Sequence, residues 1–347
     1  MFKWRKIFLF AMALWACSCV EPFETITESS LKILVVDGIL TNEDAQQKIK
    51  IQTTVHENET IYNAEIPNLK VELVVNGKES ILLTNQGEGT YALPTNFRAK
   101  TGDSYKLKFQ KTDGTKYESN EQIMPNTPQI DKIYDEFEVN GIEKGTAKIP
   151  TNYMYVDFKD PIEQQNYYLW TWTLWERQFV CKTEYNYDYY CNQNCWEILH
   201  NEDWNIFSDI YSNGKPILGK LVAKIPYYQM AGSLFEIKQL GINQETYRFL
   251  KLITDQTDRT GTLVDTPPAA IVGNVKNLTN PSEQITGFFI VASSSTVKYW
   301  LNRENAVGKA QPVGLLGRKT NPTTNNATYV CIEGLNRTPT KPRGWIE

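Results

Sequence analysis

The 347 residues carry 36 basic and 40 acidic side chains, a formal net charge of −4, with two histidines and six cysteines. That balance excludes nucleic acid or anionic lipid held by charge alone, because neither attracts a negative partner.

The chain opens with Lys3, Arg5 and Lys6, continues through an apolar stretch over 7–16, and reaches small residues around Cys17 and Cys19. This is the three-part layout of a secretory signal, and the stretch falls short of the roughly 20 apolar residues that span a bilayer. A signal that ends in cysteine resembles a bacterial lipoprotein signal, whose cysteine thiol is acylated and becomes residue one. Before Cys17 stands the bulky Trp15; before Cys19 the residues Ala16, Cys17 and Ser18 are all small. The expected lipidation site is therefore Cys19, with 1–18 as signal peptide. Cleavage there removes three positive charges and takes the net charge from −4 to −7. Retention then rests on acyl chains, two of which already suffice for stable anchoring. Residues 19–30 lack apolar periodicity and read as a tether.

Strand-like runs follow over 31–40, 48–56, 69–75, 80–84, 104–111 and 115–122. In Lys48-Ile49-Lys50-Ile51-Gln52 and Tyr105-Lys106-Leu107-Lys108-Phe109 apolar residues alternate with polar ones, the pattern of half-buried antiparallel sheet. Asn76-Gly77 and Asp113-Gly114 separate such runs and favour the positive φ of tight hairpins. Together these predict a β-sandwich of immunoglobulin-like or transthyretin-like character over 31–125. Pro125 and Pro128 suit a junction. The remainder, 129–347, reads as a larger β-rich domain with strands over 153–158, 167–180, 285–292 and 296–301. Its principal helix is expected over 243–257, capped by Asn243, with Glu245 in the first turn and Tyr247, Leu250, Ile253 and Thr254 on one face. The fold class is mainly β.

With Cys19 acylated, Cys181, Cys191, Cys195 and Cys331 remain. In an oxidising envelope compartment four cysteines form two disulfides, in one of three pairings. The preferred one places a bridge within 181–195 and a second from that loop to Cys331, closing a long loop worth about 3–5 kcal/mol. Zinc is the weaker reading, since Cys191-x-x-x-Cys195 lacks a second short-spaced pair. An aromatic belt runs between Tyr167 and Trp204. Tyr168, Trp170, Trp172 and Leu174 share one strand face, and Tyr185, Tyr187, Tyr189 and Tyr190 follow in an Asn-rich loop. Trp170, Trp172 and the four tyrosines form a candidate contact surface for a protein partner, a glycan or a peptide. The competing reading puts the tryptophans in a core.

A search for chemistry finds no nucleophile elbow, zinc-protease helix or phosphate loop. His56 closes a predicted strand, His200 is placed in an acidic loop, and Ser293-Ser294-Ser295 reads as a strand edge or hairpin. Asp157 with Asp160, and Asp255 with Asp258, offer oxygens for calcium but lack the dense ligands of a calcium loop. The expectation is a protein without catalytic residues, metal or cofactor; a hydrolase built on an unrecognised acid pair is the rival.

At Cys19-Val20-Glu21-Pro22-Phe23 and Leu34-Val35-Val36-Asp37-Gly38-Ile39-Leu40-Thr41 the sequence resembles Bacteroidota lipoproteins grouped as domain-of-unknown-function family 4249. The likeness continues through Gly102-Asp103-Ser104-Tyr105, Cys195-Trp196, Tyr247-Arg248-Phe249-Leu250, Pro267-Pro268-Ala269 and Gly287-Phe288-Phe289. It implies an outer-membrane lipoprotein associated with a TonB-dependent barrel, serving as an accessory or substrate-capture subunit, and it supplies no catalytic residues. Glu21 and Glu24, soon after the acylated cysteine, resemble a surface-export signal and imply display on the cell exterior. The family's two close C-terminal cysteines are here reduced to Cys331, which favours its pairing with the 181–195 loop.

Overall fold

The computed structural model describes residues 32–57, 60–180, 193–257, 271–314 and 330–347. Ten strands precede the proline pair: β1 (Leu34–Thr41), β2 (Lys48–Glu57), β3 (Thr60–Glu65), β4 (Lys70–Val75), β5 (Glu79–Leu82), β6 (Thr84–Asn85), β7 (Thr90–Ala92), β8 (Ser104–Gln110), β9 (Lys116–Ser119) and β10 (Gln122–Ile123). After it come β11 (Ile130–Lys144), β12 (Ala147–Lys159), β13 (Tyr167–Val180), β14 (Gln193–His200), β15 (Asn205–Ser208), β16 (Pro216–Pro226) and β17 (Ser233–Ile242). Helix α1 (Gln244–Thr257) is followed by β18 (Val275–Asn277), β19 (Ile285–Leu301) and β20 (Arg337–Thr338). Among the described residues no helix is long and apolar enough to cross a membrane.

Alternation builds the first sandwich. In β8 the side chains of Tyr105, Leu107 and Phe109 are buried while the residues between them are not, and in β4 Val71, Leu73 and Val75 do the same. These faces belong to the sheet β18-β9-β8-β4-β5, with β10 on β8. Opposite lie β6-β7-β2-β1 and the first half of β19, with β3 beside β2. Val36, Ile49, Ile51, Leu73, Leu107 and Phe289 meet in a single core between the two sheets. The expected sandwich strands are present, and the sandwich takes two more, β18 and β19, from beyond the helix. The turns are longer than a two-residue hairpin. Val75 pairs with Glu79 across Asn76 and Gly77, both at positive φ (52° and 64°), and Gln110 pairs with Lys116 across a loop in which Gly114 alone of the Asp-Gly pair is left-handed.

The second sandwich sets the three-stranded sheet β11-β12-β16 against β20-β14-β13-β17 and the second half of β19. Phe158, Tyr168, Trp170, Ile225, Phe235 and Ile237 fill its core. Strand β19 is common to both halves of the molecule. Residues 285–292 pair in parallel with β1, and residues 293–301 pair antiparallel with β17. The two runs expected at 285–292 and 296–301 are therefore one strand. Ser293 and Ser295, expected at an edge or hairpin, are buried in its middle.

Their hydroxyls explain the burial. Ser293 Oγ donates to the Pro125 carbonyl (2.6 Å), Thr127 Oγ1 donates to the Ser293 carbonyl (3.0 Å), and the Gly241 N–H donates to Thr127 Oγ1 (2.8 Å). The junction thus lies pinned across the seam. Thr127 also fills the space that a β-carbon on Gly241 would need.

Helix α1 begins where expected. Asn243 Oδ1 accepts from the Thr246 N–H (2.8 Å), an N-cap, and Asn243 Nδ2 donates to Gln122 Oε1 (2.8 Å). Leu250, Tyr247 and Phe249 pack on Leu169, Ile242, Phe288 and Ile290, outer-face residues of strands from both sandwiches.

Candidate binding cleft

A cleft of about 970 Å³ opens at the edge of the second sandwich. Its lining comes from the β14–β15 connection with its flanking residues (199–206), Leu221, Val222, Ala223, Lys224 and Pro226 of β16 with Tyr228 beyond it, the tip of β11 at 141–143, and Thr254 of α1. Trp172, Trp204 and Tyr228 supply aromatic surface, and Asn201, Glu202, Asp203 and Lys224 supply polar groups around it. A smaller depression of about 270 Å³ lies over the stacked Phe109 and Tyr117. Its charges already neutralise one another in the pairs Lys70–Glu72 and Lys108–Glu118.

The β14–β15 turn is fixed from within. Asn201 Oδ1 accepts from the Trp172 N–H (3.1 Å), Asn201 Nδ2 donates to the Asp203 carbonyl (3.0 Å), and Asn205 Nδ2 donates to the carbonyls of Leu221 (3.0 Å) and Val222 (3.1 Å). Trp204 is thereby held at the rim, 36% exposed. Trp172 forms the floor. It shares a strand face with Trp170 and Leu174, both fully buried, yet is itself only half-buried, because the cleft lies over it. Its ring packs 6.0 Å from that of Phe235. Burial raises the Tyr228 phenol to about 12, aided by the charge of Glu176, so it stays protonated at neutral pH and can donate a hydrogen bond.

Aromatic faces ringed by amides, carboxylates and a lysine suit a ligand with flat apolar patches and many hydroxyl or amide groups. His200 lines the cleft as the last residue of β14 rather than in a loop, with its Nδ1 3.2 Å from Thr173 Oγ1.

Residues 20–298, most of the chain, match the sequence profile of a family described as a domain of unknown function, DUF4249. The chain belongs to the DUF4249 family. No curated protein matches it. The DUF4249 match takes in every residue lining the cleft and both sandwiches, apart from β20 and the C-terminal end of β19, which lie beyond it.

Within this DUF4249 protein the expected contact residues separate. Trp170 has no exposed surface and is corrected to a core residue. Its Nε1 donates to Gln239 Oε1 (3.0 Å), Phe158 and Tyr168 flank it, and Lys220 Nζ sits 5.2 Å from its ring centre. The three-stranded sheet covers it, whereas two residues along the strand Trp172 meets the cleft. Tyr185, Tyr187, Tyr189 and Tyr190 lie outside the described residues, as do Cys19, Cys181 and Cys191. Cys195 is bonded to Cys331 across 136 residues, with Cα atoms 5.8 Å apart, in line with the expected link from the 181–195 loop. That bond fastens β14 to the C-terminal segment, where Trp345 meets Trp196 and Trp300 edge-on at 5.7 and 5.0 Å. Arg337 grips Glu197 through two hydrogen bonds of 2.8 and 3.1 Å.

The aspartates that offer oxygens for calcium have other partners among the described residues. Asp157 Oδ1 accepts from the Gly219 N–H (2.7 Å), Asp160 turns into the protein toward Tyr168, and Asp255 pairs with Lys251 (2.9 Å) while Asp258 lies outside the described residues. Trp204, Asn201, Lys224 and Tyr228 were not singled out from the sequence. The run Asn201-Glu202-Asp203-Trp204, a polar turn ending in tryptophan, marks Asn201 and Trp204, while no local signal marks Lys224 or Tyr228.

Proposed function

We propose that this protein is a lipid-anchored, non-enzymatic capture protein of the outer membrane, facing the cell exterior, that holds a glycan or peptide in the Trp172 cleft and serves a TonB-dependent transporter. The observation that carries the capture role is Trp172, an aromatic floor left open on an otherwise covered strand face. Rigid aromatic side chains give contact area at low entropic cost, and Trp and Tyr dominate binding energy where they anchor a ligand. The signal ending at Cys19 supports the anchor, and the family resemblance supports the transporter.

Affinity purification from mildly solubilised outer membrane tests the partner: a large barrel is expected to co-purify, and recovery of none overturns the transporter role. A Cys19→Ala form is expected to leave the membrane fraction. The second reading is a stand-alone glycan- or peptide-binding lipoprotein, favoured by the mix of amide, carboxylate and aromatic groups lining the cleft. It predicts the same ligand binding with no barrel recovered.

A further inference from the structure

We propose that Asp160, Asp209 and Asn166 form a calcium site that clasps the two loops at the end of the second sandwich. Asp160 follows β12 and Asp209 follows β15; their exposures are 1% and 0%. Tyr168 Oη donates to Asp160 Oδ1 (2.5 Å), and the Gly214 N–H donates to Asp160 Oδ2 (2.8 Å). The Asn166 N–H donates to Asp209 Oδ2 (2.8 Å), and the Asp209 N–H returns a bond to the Asn166 carbonyl (3.2 Å). Asn166 and Asp209 stand opposite each other one step beyond the Tyr167–Ser208 pair, on the strand face of Tyr168, whose hydroxyl reaches Asp160. Burial first, and then the charge of the neighbouring Asp160 carboxyl, raise the Asp209 carboxyl above its ordinary range.

Two oxygens at this place have no donor. Asp209 Oδ1 and Asn166 Oδ1 are both buried without a hydrogen-bond partner, and Asn166 is itself only 5% exposed. A buried acceptor left unpaired is destabilising, and two carboxylates side by side in a dry site repel. A proton shared by the carboxyl groups answers the repulsion but leaves the Asn166 oxygen without a donor unless its amide is reversed. A cation answers all three at once.

The donor set selects the ion. It consists of two carboxylates and an amide oxygen, with no imidazole or thiolate, and it sits on loops; oxygen ligands of irregular geometry suit Ca²⁺ better than the strict octahedron of Mg²⁺ or the nitrogen and sulfur preference of Zn²⁺. Backbone carbonyls or water would complete the shell. The ion would tie the 160–166 connection to the 209–215 loop. The short strand β15 links that loop to the cleft, since it begins at Asn205 in the cleft wall and ends at Ser208 beside Asp209.

The test uses the mature protein in detergent. After chelation and equilibrium dialysis against CaCl2, metal analysis is expected to find one calcium per chain. The unfolding midpoint is expected to rise by roughly 3 °C or more at about 100-fold excess over Kd, with MgCl2 giving less. Asp209→Asn should abolish binding while leaving the midpoint in EDTA unchanged or higher, because it removes the like-charge contact. If Asp209→Asn does not fold, Asn166→Ala with the wild-type measurement decides. No calcium bound by the wild type at millimolar concentration, or undiminished binding in both Asp160→Asn and Asp209→Asn, overturns the site; either result would mean that a shared proton and a reversed amide satisfy these groups.

Discussion

The two sandwiches share strand β19 and bury their apolar residues in different company. In the first, the buried polar residues, among them Gln47, Gln52, Ser119, Gln122, Asn274 and Asn277, are uncharged, and the charges of β4, β8 and β9 stay on the outer face. The second buries an ion pair, Arg303 with Glu176, with neither side chain exposed, along with Asp160, Asp209, Asn152 and Gln178. It also leaves Trp172 uncovered. Buried polar groups are costly unless fully paired, and they gather where a fold must hold a specific shape. On the proposed reading, the first sandwich serves as support and the second as the recognition element.

The largest way to break that contrast is at Arg303. Its guanidinium makes two hydrogen bonds to the Glu176 carboxylate, 2.5 and 3.1 Å, and others to the carbonyls of Gln229 and Ala231. Arg303→Met strands a buried carboxylate and should cost about 3–5 kcal/mol in denaturant unfolding, while adding Glu176→Leu should recover part of that loss. Leu107→Ala in the first sandwich should cost about 2–5 kcal/mol, through cavity formation alone and with no second-site rescue by removing a charge.

At the seam between the halves, Thr127→Val removes a hydroxyl that both donates and accepts, leaving the Gly241 N–H buried without a partner. The expected loss is about 1–3 kcal/mol, read as a lower unfolding midpoint. A single cooperative transition should persist, since β19 belongs to both sandwiches; two separated transitions would show that the halves unfold independently. The smallest effect belongs to the helix: Asn243→Ala should cost about 1 kcal/mol by uncapping α1, with ligand binding unchanged.

Much of the first sandwich was legible because its signals are local. The alternation in Tyr105-Lys106-Leu107-Lys108-Phe109 records one buried face, and Asn243 with Glu245 marks a helix start by itself. Long strands of the second half were hidden for a physical reason. Over β11 only scattered positions are half-buried and the rest face solvent, so Asp131, Lys132, Asp135, Glu136 and Glu138 blur the period of two. β17 is buried at nearly every position, and its alternation is confined to Phe235-Glu236-Ile237-Lys238 before Gln239, Leu240, Gly241 and Ile242 are all buried. Partnership was hidden as well: nothing near Ser293 states that it meets Pro125, and nothing near Asp160 states that its neighbour is Asp209 rather than Asp157. Periodicity placed Trp170 and Trp172 on one face correctly, but only the covering sheet distinguishes the buried ring from the open one.

Binding of purified wild type and Trp172→Ala to an array of oligosaccharides and peptides tests the capture role most directly, with unfolding midpoints measured alongside. The account predicts that wild type selects one ligand class and that Trp172→Ala lowers affinity by about tenfold or more while remaining folded. Equal binding by the two proteins, or no binding by wild type to any member of the array, would contradict it.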